Sequence, residues 1–362
     1  MNQERLKYVF DQFQHESEFE SFSYLASGHI NDTYLIKTKN KPHYVLQRIN
    51  HGVFPDVPGL INNKVSVSAH LREKLANLPK EEVQRRVLSF FPTLEGKQYF
   101  GGDEEGYWSL MLFIEDSVTF ETVVEEEIAY EGGKLFGEFL NQTSDFDVDN
   151  LIEVIPNFHD MSFRYKQFEA ALKRATKERI DEAKPYIDLV LGSKDEMHIL
   201  QGLKDSGAIP TRVTHNDTKI SNALFDTGNK GLCVIDTDTV MPGIVHYDFG
   251  DAIRTICNTA AEDETDLTKI NFNLPFYKAY VKGFLEKVGS SLTTLELENL
   301  PLGAKTIIFI MGLRFLTDFL NNDIYYKASY SMHNLDRAKN QFKLLRSFTE
   351  QYEEVKKVTR LA

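Results

Sequence analysis

The segment Val213–Asp251, VTHNDTKISNALFDTGNKGLCVIDTDTVMPGIVHYDFGD, constrains this chain more than any other stretch. Asn222–Phe225 and Leu232–Ile235 are short runs of β-forming residues, separated by the turn-rich hexapeptide Asp226-Thr227-Gly228-Asn229-Lys230-Gly231. That pattern predicts an antiparallel hairpin. Such a hairpin sets the start of its first strand beside the end of its second, so Asn222 and Asp236 come together at one end. Asp217 lies in the loop that feeds this end. An amide oxygen and one or two carboxylates converging at a strand terminus make a hard, oxygen-rich site. It suits Mg2+, which keeps several waters and bridges phosphates. Asp238, two residues beyond Asp236, is a possible second anionic ligand.

A neighbouring carboxylate without metal duty can take the proton of an acceptor hydroxyl. A base, metal ligands and little covalent chemistry are the requirements of phosphoryl transfer. The spacing His215-x-Asp217-x-x-x-x-Asn222 has the H-x-D-x-x-x-x-N form of kinase catalytic loops. At average residue usage such a triple arises by chance in roughly a few per cent of chains this long, and a following hairpin that ends in Ile-Asp lowers the figure further. Asp248-Phe249-Gly250 spells the metal-binding triplet of protein kinases, but it lies past the hairpin and past Pro242-Gly243. Asp236 is therefore the better metal ligand. For Asp248 a structural job, opening a helix at 250–256 and bracing the catalytic loop, is expected as much as a chemical one. His215, His246 and Asp251 also raise a metallohydrolase, but no H-x-H or H-E-x-x-H spacing supports one.

A chain of 362 residues calls for two lobes or domains. The first hundred or so residues read as strands with one or two helices, with strands at Phe22–Leu25, Asn31–Thr38, Tyr44–Asn50 and Trp108–Ile114 and a helix at Leu60–Leu78. After Glu115-Asp116 the pattern turns helical, at Ile128–Leu140, Phe163–Ala183 and most of Leu274–Ala362. The division predicted is residues 1–115, a small β-rich N-lobe, and 116–362, a larger and mainly helical C-lobe, an α+β architecture. The formal net charge of −13 argues against nucleic acid as a partner. The longest apolar run, near Ile307–Met311, stops at Arg314, so a buried core helix is expected and no membrane span. Two cysteines, Cys233 and Cys257, without C-x-x-C or a secretory leader, fit a reducing cytoplasm.

With these residues in view, the chain resembles the aminoglycoside phosphotransferase/choline kinase superfamily, and within it the N-acetylhexosamine 1-kinases. The resemblance runs over nearly the whole length: GHINDTYLI (28–36), YVLQRIN (44–50), VFPD (53–56), FIE (113–115), VTHNDTKISN (213–222), IDTDTVMPG (235–243), YDFGDAIR (247–254), GLRFLTDFL (312–320) and DIYY (323–326). It implies the two-lobed protein-kinase-like fold and ATP-dependent phosphorylation of a sugar's anomeric hydroxyl. By position, Asp217 would be the base, with Asn222 and Asp236 as the Mg2+ ligands. ATP would lie between the loop Ser27, Gly28, His29, Ile30, Asn31 and the linker Phe113, Ile114, Glu115, whose backbone would meet the adenine. His29, Asp251, Arg254, Arg314 and Tyr325 would line or border the sugar pocket. Arg314 could equally pair with Asp318 at i+4, and Asp251 with Arg254 at i+3.

One departure from the wider kinase pattern stands out. The strand Tyr44–Asn50 should carry a phosphate-gripping lysine, as in V-A-I-K. Strand alternation puts Val45 and Gln47 on one face, so Gln47 occupies that position; the N-acetylhexosamine kinases also lack the lysine. Arg48, through a shifted register, and Lys37 are the candidate replacements. The alternatives to a sugar 1-kinase are another kinase of the superfamily, acting on choline, an amino alcohol or an aminoglycoside, and a non-catalytic pseudokinase. The retention of Asp217, Asn222 and Asp236 together opposes the last.

Overall fold

The computed structural model describes residues 2–25 and 30–361. The chain forms two compact units. The first takes Met1–Phe120 together with Phe139–Pro156 and Ser221–Pro242; the second takes Glu121–Glu138, Asn157–Ile220 and Gly243–Ala362.

The first unit is organised by an antiparallel sheet. Strands β1 (Phe19–Tyr24), β2 (Asp32–Thr38) and β3 (Tyr44–Ile49) lie in that order, followed by Gly106–Leu112 and Phe90–Phe91; Phe100–Gly102 also pairs with Gly106–Leu112. In β3, Tyr44 and Leu46 face a core with Trp108, Leu110 and the helix α1 (Gln3–Phe10), which contributes Leu6, Val9 and Phe10. Arg48 shares that face, its guanidinium 5.9 Å from the Trp108 ring. Val45 faces the other way, against Leu88, Met111, Ile114, Cys233, Leu224 and Leu232. The hairpin anticipated from sequence, observed as Ala223–Asp226 and Gly231–Val234, thus packs on the sheet face that carries Val45 and, two residues on, Gln47.

Helix α2 (Val57–Lys74) begins where Asp56 accepts the Gly59 N–H at 2.9 Å and Pro58 pre-sets the first turn. Its buried stripe, Val57, Leu60, Ile61, Val67 and Leu71, follows helical spacing, and Lys64 sits on that same stripe.

The second unit is helical. Its axis is Thr294–Leu320, started by a capping box of Thr293 and Glu296. This helix is long and apolar enough to cross a membrane by length and composition, yet 83% of its most apolar window is buried within the protein, as befits a core helix. Gly303 and Gly250 permit its close crossing with the helix Val245–Ile256, because a Cβ at either position would meet backbone oxygen of the other helix within 3 Å. Met161–Arg174 and His333–Glu350 pack on the same axis. The single helix expected over 163–183 is two, Met161–Arg174 and Lys177–Gly192. Thr176 accepts the Arg179 N–H and starts the second, so the hydroxyl cap overrides a continuous apolar period.

Candidate active site

In the first unit the hairpin register pairs Ala223 with Val234 and Leu224 with Cys233, and the Ile235 N–H reaches the Asn222 carbonyl at 2.9 Å. Asn222 and Asp236 therefore stand at the same end of the hairpin. Asp236 adopts φ 57°, ψ 53°, a left-handed conformation that Asp tolerates better than most residues. The chain turns there into a short 3-10 helix, Thr237–Thr239, which carries Asp238 back toward β3 and α2. One hard carboxylate and one amide oxygen at a common strand end are a donor set that fits Mg2+.

Asp238 is heavily engaged. Its Oδ1 takes the Lys64 ammonium, and its Oδ2 accepts the side-chain amides of Asn31 and of Gln47, the latter at 3.2 Å. Lys64 also donates to Gln47 Oε1 at 3.0 Å. Only 2% of the Lys64 side chain and 4% of that of Asp238 reach solvent. Gln47 thus lies where strand alternation put it, but the cation beside it is neither Arg48 nor Lys37. Arg48 points to the opposite face, 3.8 Å from Asp32, and Lys37 is exposed on β2. The amphipathic period of α2 held the missed signal: a lysine on an apolar stripe needs a buried partner.

Of the other nucleotide-site candidates, Ser27, Gly28 and His29 lie outside the described residues. Ile30 is exposed, and its carbonyl accepts Asn50 Nδ2 at 3.3 Å. Asn31 Oδ1 takes the Asn50 N–H at 2.7 Å, tying the start of β2 to the end of β3. In the linker, the Phe113 N–H donates to His43, the Ile114 carbonyl accepts Ser117 Oγ at 2.7 Å, and the Glu115 carbonyl accepts Arg85 at 2.7 Å. The Phe113 carbonyl and the Glu115 N–H are left without a protein partner among the described residues.

In the second unit Asp217 lies on the loop after Arg212–Thr214, just behind Asn216, whose φ of 63° turns the chain. The loop is clamped from below. Asp248 accepts the His215 N–H at 2.8 Å and the Asn216 N–H at 2.7 Å, while its own carbonyl accepts Thr218 Oγ1 at 2.5 Å. The brace expected of Asp248 is present, but the helix begins at Val245, so Asp248 lies inside its first turn rather than opening it. The Asp217 side chain keeps 31% of its surface exposed, and Lys219 sits 3.0 Å from its Oδ2. His246 is committed to the Glu296 carbonyl at 3.0 Å, and burial pushes its imidazole down to about 4. Among the described residues no group of three or more His, Cys, Asp or Glu is placed to hold a metal ion.

Asp251 and Arg254 do pair, through Oδ1 at 2.8 Å, and Arg254 also holds Glu262 at 2.7 Å. Asp251 Oδ2 is buried without a hydrogen-bond partner among the described residues. Burial raises the Asp251 carboxyl, opposed by the Arg254 guanidinium and reinforced by Asp217. Arg314 does not take Asp318. Its guanidinium lies over Phe158 at 5.1 Å and Tyr326 at 5.5 Å, while Asp318 accepts the backbone N–H groups of Tyr325 and Tyr326 at 2.9 and 2.8 Å. The Tyr325 ring is exposed. A second guanidinium, Arg164, stands close enough that burial together with the charge of Arg314 brings it down to about 10.

The clamp carries a pH signature. Burial raises the Asp248 carboxyl to about 7, against the pull of the two N–H donors and with the nearby charges of Asp251 and Asp217 adding to the rise. A carboxyl raised in the folded state binds more protons there than in the unfolded chain, so its stabilisation is full below the unfolded value and is lost as pH climbs. Relative to Asp248→Asn, which does not titrate, the native protein should lose on the order of 3 kcal/mol between pH 4 and pH 7. Urea unfolding of both proteins across that window tests the sign.

A family model described as a phosphotransferase enzyme family matches residues 21–280, well over half of the chain. Among solved structures, the chain is similar to a microcompartment-associated aminopropanol kinase (TM-score 0.60, 14% identity, 98% of each chain covered). It is similar also to an amicoumacin kinase solved in complex with AMP-PNP, Ca2+ and Ami (TM-score 0.60, 13% identity, 95% of this chain and 94% of that one). A third is choline kinase from Cryptosporidium parvum Iowa II (TM-score 0.53, 13% identity, 94% of this chain and 92% of that one). At such identities the likeness speaks to fold: a kinase-like α+β architecture with an antiparallel N-terminal sheet and a mostly helical C-terminal part.

Proposed function

The chain belongs to the phosphotransferase enzyme family, and from that premise we propose that it transfers the terminal phosphoryl group of ATP to the anomeric hydroxyl of an N-acetylhexosamine. The products are ADP and a sugar 1-phosphate. The observation that carries the reading is, in the second unit, a clamped loop that leaves the Asp217 carboxylate partly exposed; it is joined by the first unit's own hairpin, which has Asn222 and Asp236 at one end. Asp217 orients the acceptor hydroxyl and takes its proton. Asn222 and Asp236 would hold Mg2+, which neutralises charge on the phosphoryl oxygens. The adenine edge fits the two open backbone groups of the linker, the Phe113 carbonyl and the Glu115 N–H.

Charge favours a neutral sugar over a cationic acceptor. An ammonium substrate needs uncommitted carboxylate or an open aromatic face. Phe158 and Tyr326 are already covered by Arg314, Arg164 stands nearby, and Asp251 Oδ1 is committed to Arg254, which it shares with Glu262. The buried Asp251 Oδ2, without a partner among the described residues, suits the N–H of an acetamido group or a ring hydroxyl, and a site built to satisfy such an atom rejects analogues that leave it unpaired. His29, Arg254, Arg314 and Tyr325 complete the residues assigned to the acceptor side by resemblance.

N-acetylglucosamine or N-acetylgalactosamine should be turned over faster than the parent hexoses, and a 1-deoxy N-acetylhexosamine not at all. Phosphorus NMR of the product should show coupling to the anomeric proton. Coupling to the C6 protons would refute the 1-kinase reading and leave a sugar kinase standing; turnover of choline or an aminoglycoside alone would favour the amine-directed reading.

A further inference from the structure

We propose that Lys64, delivered from helix α2, is the cation that grips the nucleotide phosphates, in place of the lysine that β3 lacks. The inference rests on the ATP-dependent reading of the first unit. Three elements meet around the Lys64 ammonium: α2, which carries it, β3, whose Gln47 accepts from it, and the hairpin exit, whose Asp238 takes it and is itself held by Asn31 just before β2. Asn31 directly follows the loop assigned to cover the phosphates, and Asp238 lies two residues from the metal-ligand candidate Asp236. The cluster therefore sits where a phosphate chain has to pass.

An ammonium has three N–H donors. Gln47 Oε1 and Asp238 Oδ1 take two of them, and the third has no oxygen acceptor among the described residues, with the Phe90 ring 5.6 Å away. The two engaged donors fix the direction of the third. In protein kinases a strand lysine is held by a helix carboxylate. Here the ammonium rises from the helix, and the strand contributes the amide that holds it. Asp238 balances the buried charge, and Lys64, Asn31 and Gln47 occupy three of its roughly four acceptor positions. On this assignment Asp238 is the lysine's counter-ion, and the metal duty rests on Asn222 and Asp236.

The test must separate a phosphate contact from a structural ion pair. Lys64→Met alone strands the Asp238 carboxylate, so the informative protein is Lys64→Met combined with Asp238→Asn, which leaves no unpaired buried charge. Binding of ADP and of adenosine, which lacks phosphates, is measured by calorimetry in EDTA so that metal affinity does not enter. The double variant should bind ADP roughly 10- to 100-fold more weakly, the range for one charge-assisted hydrogen bond, with adenosine affinity unchanged. The swap Gln47→Lys with Lys64→Gln moves the ammonium to the strand and should restore ADP binding to within about tenfold of the parent. Equal ADP-to-adenosine ratios in the parent and the Lys64→Met/Asp238→Asn protein would overturn the proposal and reduce Lys64 to a structural partner of Asp238. A parent protein that binds neither ADP nor adenosine would defeat the ATP reading itself.

Discussion

Replacing Asp217 by asparagine is expected to lower kcat by about 100-fold or more while leaving ADP affinity and thermal stability nearly unchanged. Asparagine keeps the size and planarity of the side chain but cannot accept a proton. The loop that carries it is held through backbone groups of its neighbours, since His215 and Asn216 donate to Asp248 and Thr218 bonds the Asp248 carbonyl. None of these contacts involves the Asp217 carboxylate. The ion pair with Lys219 at 3.0 Å, which the substitution weakens, is partly exposed, and such pairs contribute about 0–1 kcal/mol. Rate and fold are therefore separable at this position. Steady-state kinetics with N-acetylglucosamine, calorimetric titration with ADP and a melting curve make the set. Near-native kcat in a correctly folded Asp217→Asn protein would remove the base assignment.

The parts of the site legible in the sequence are those written in local periodicity. Alternation in β3 put Gln47 on the face of Val45, and the turn-rich hexapeptide put Asn222 and Asp236 at one hairpin end; both arrangements are present in the fold. The brace formed by Asp248 was also readable, from the place of its triplet past the hairpin and past Pro242-Gly243 in the sequence. Contacts at long sequence separation were not legible. Lys64 and Asp238 are 174 residues apart, and only the misfit of a lysine on the apolar stripe of α2 hinted at the pair. The i+4 expectation for Arg314 and Asp318 failed for a related reason. Asn322 and Asp323 take positive φ and fold the chain back, so that the N–H groups of Tyr325 and Tyr326 reach Asp318 first. Two backbone donors satisfy a buried carboxylate at less cost in side-chain entropy than a long guanidinium. Arg314 is left to the aromatic faces of Phe158 and Tyr326.

The neighbouring aspartates Asp236 and Asp238 should fail in opposite ways. Asp236→Asn keeps a residue type that accepts the left-handed backbone at φ 57°, whereas alanine there would add strain of about 1 kcal/mol. The fold should survive, while the site loses its principal anion for a hard divalent cation. Mn2+ binding in the presence of ADP, followed by electron paramagnetic resonance, should weaken strongly. Mg2+-dependent kcat/KM should fall by more than about 100-fold. Asp238→Asn removes the anion facing an ammonium that is only 2% exposed, and an uncompensated buried charge costs about 3–5 kcal/mol. Its first symptom should be a lowered unfolding midpoint, with Mn2+ affinity retained wherever the protein is still folded. If Mn2+ binding followed Asp238 and ignored Asp236, the hairpin-end site would be misplaced. If it followed Asp248, whose oxygens are committed to the His215 and Asn216 N–H groups, the triplet Asp248-Phe249-Gly250 would be the metal site after all. Each outcome assigns the metal to a different carboxylate, and the unfolding midpoints show whether a lost signal reflects a lost ligand or a lost fold.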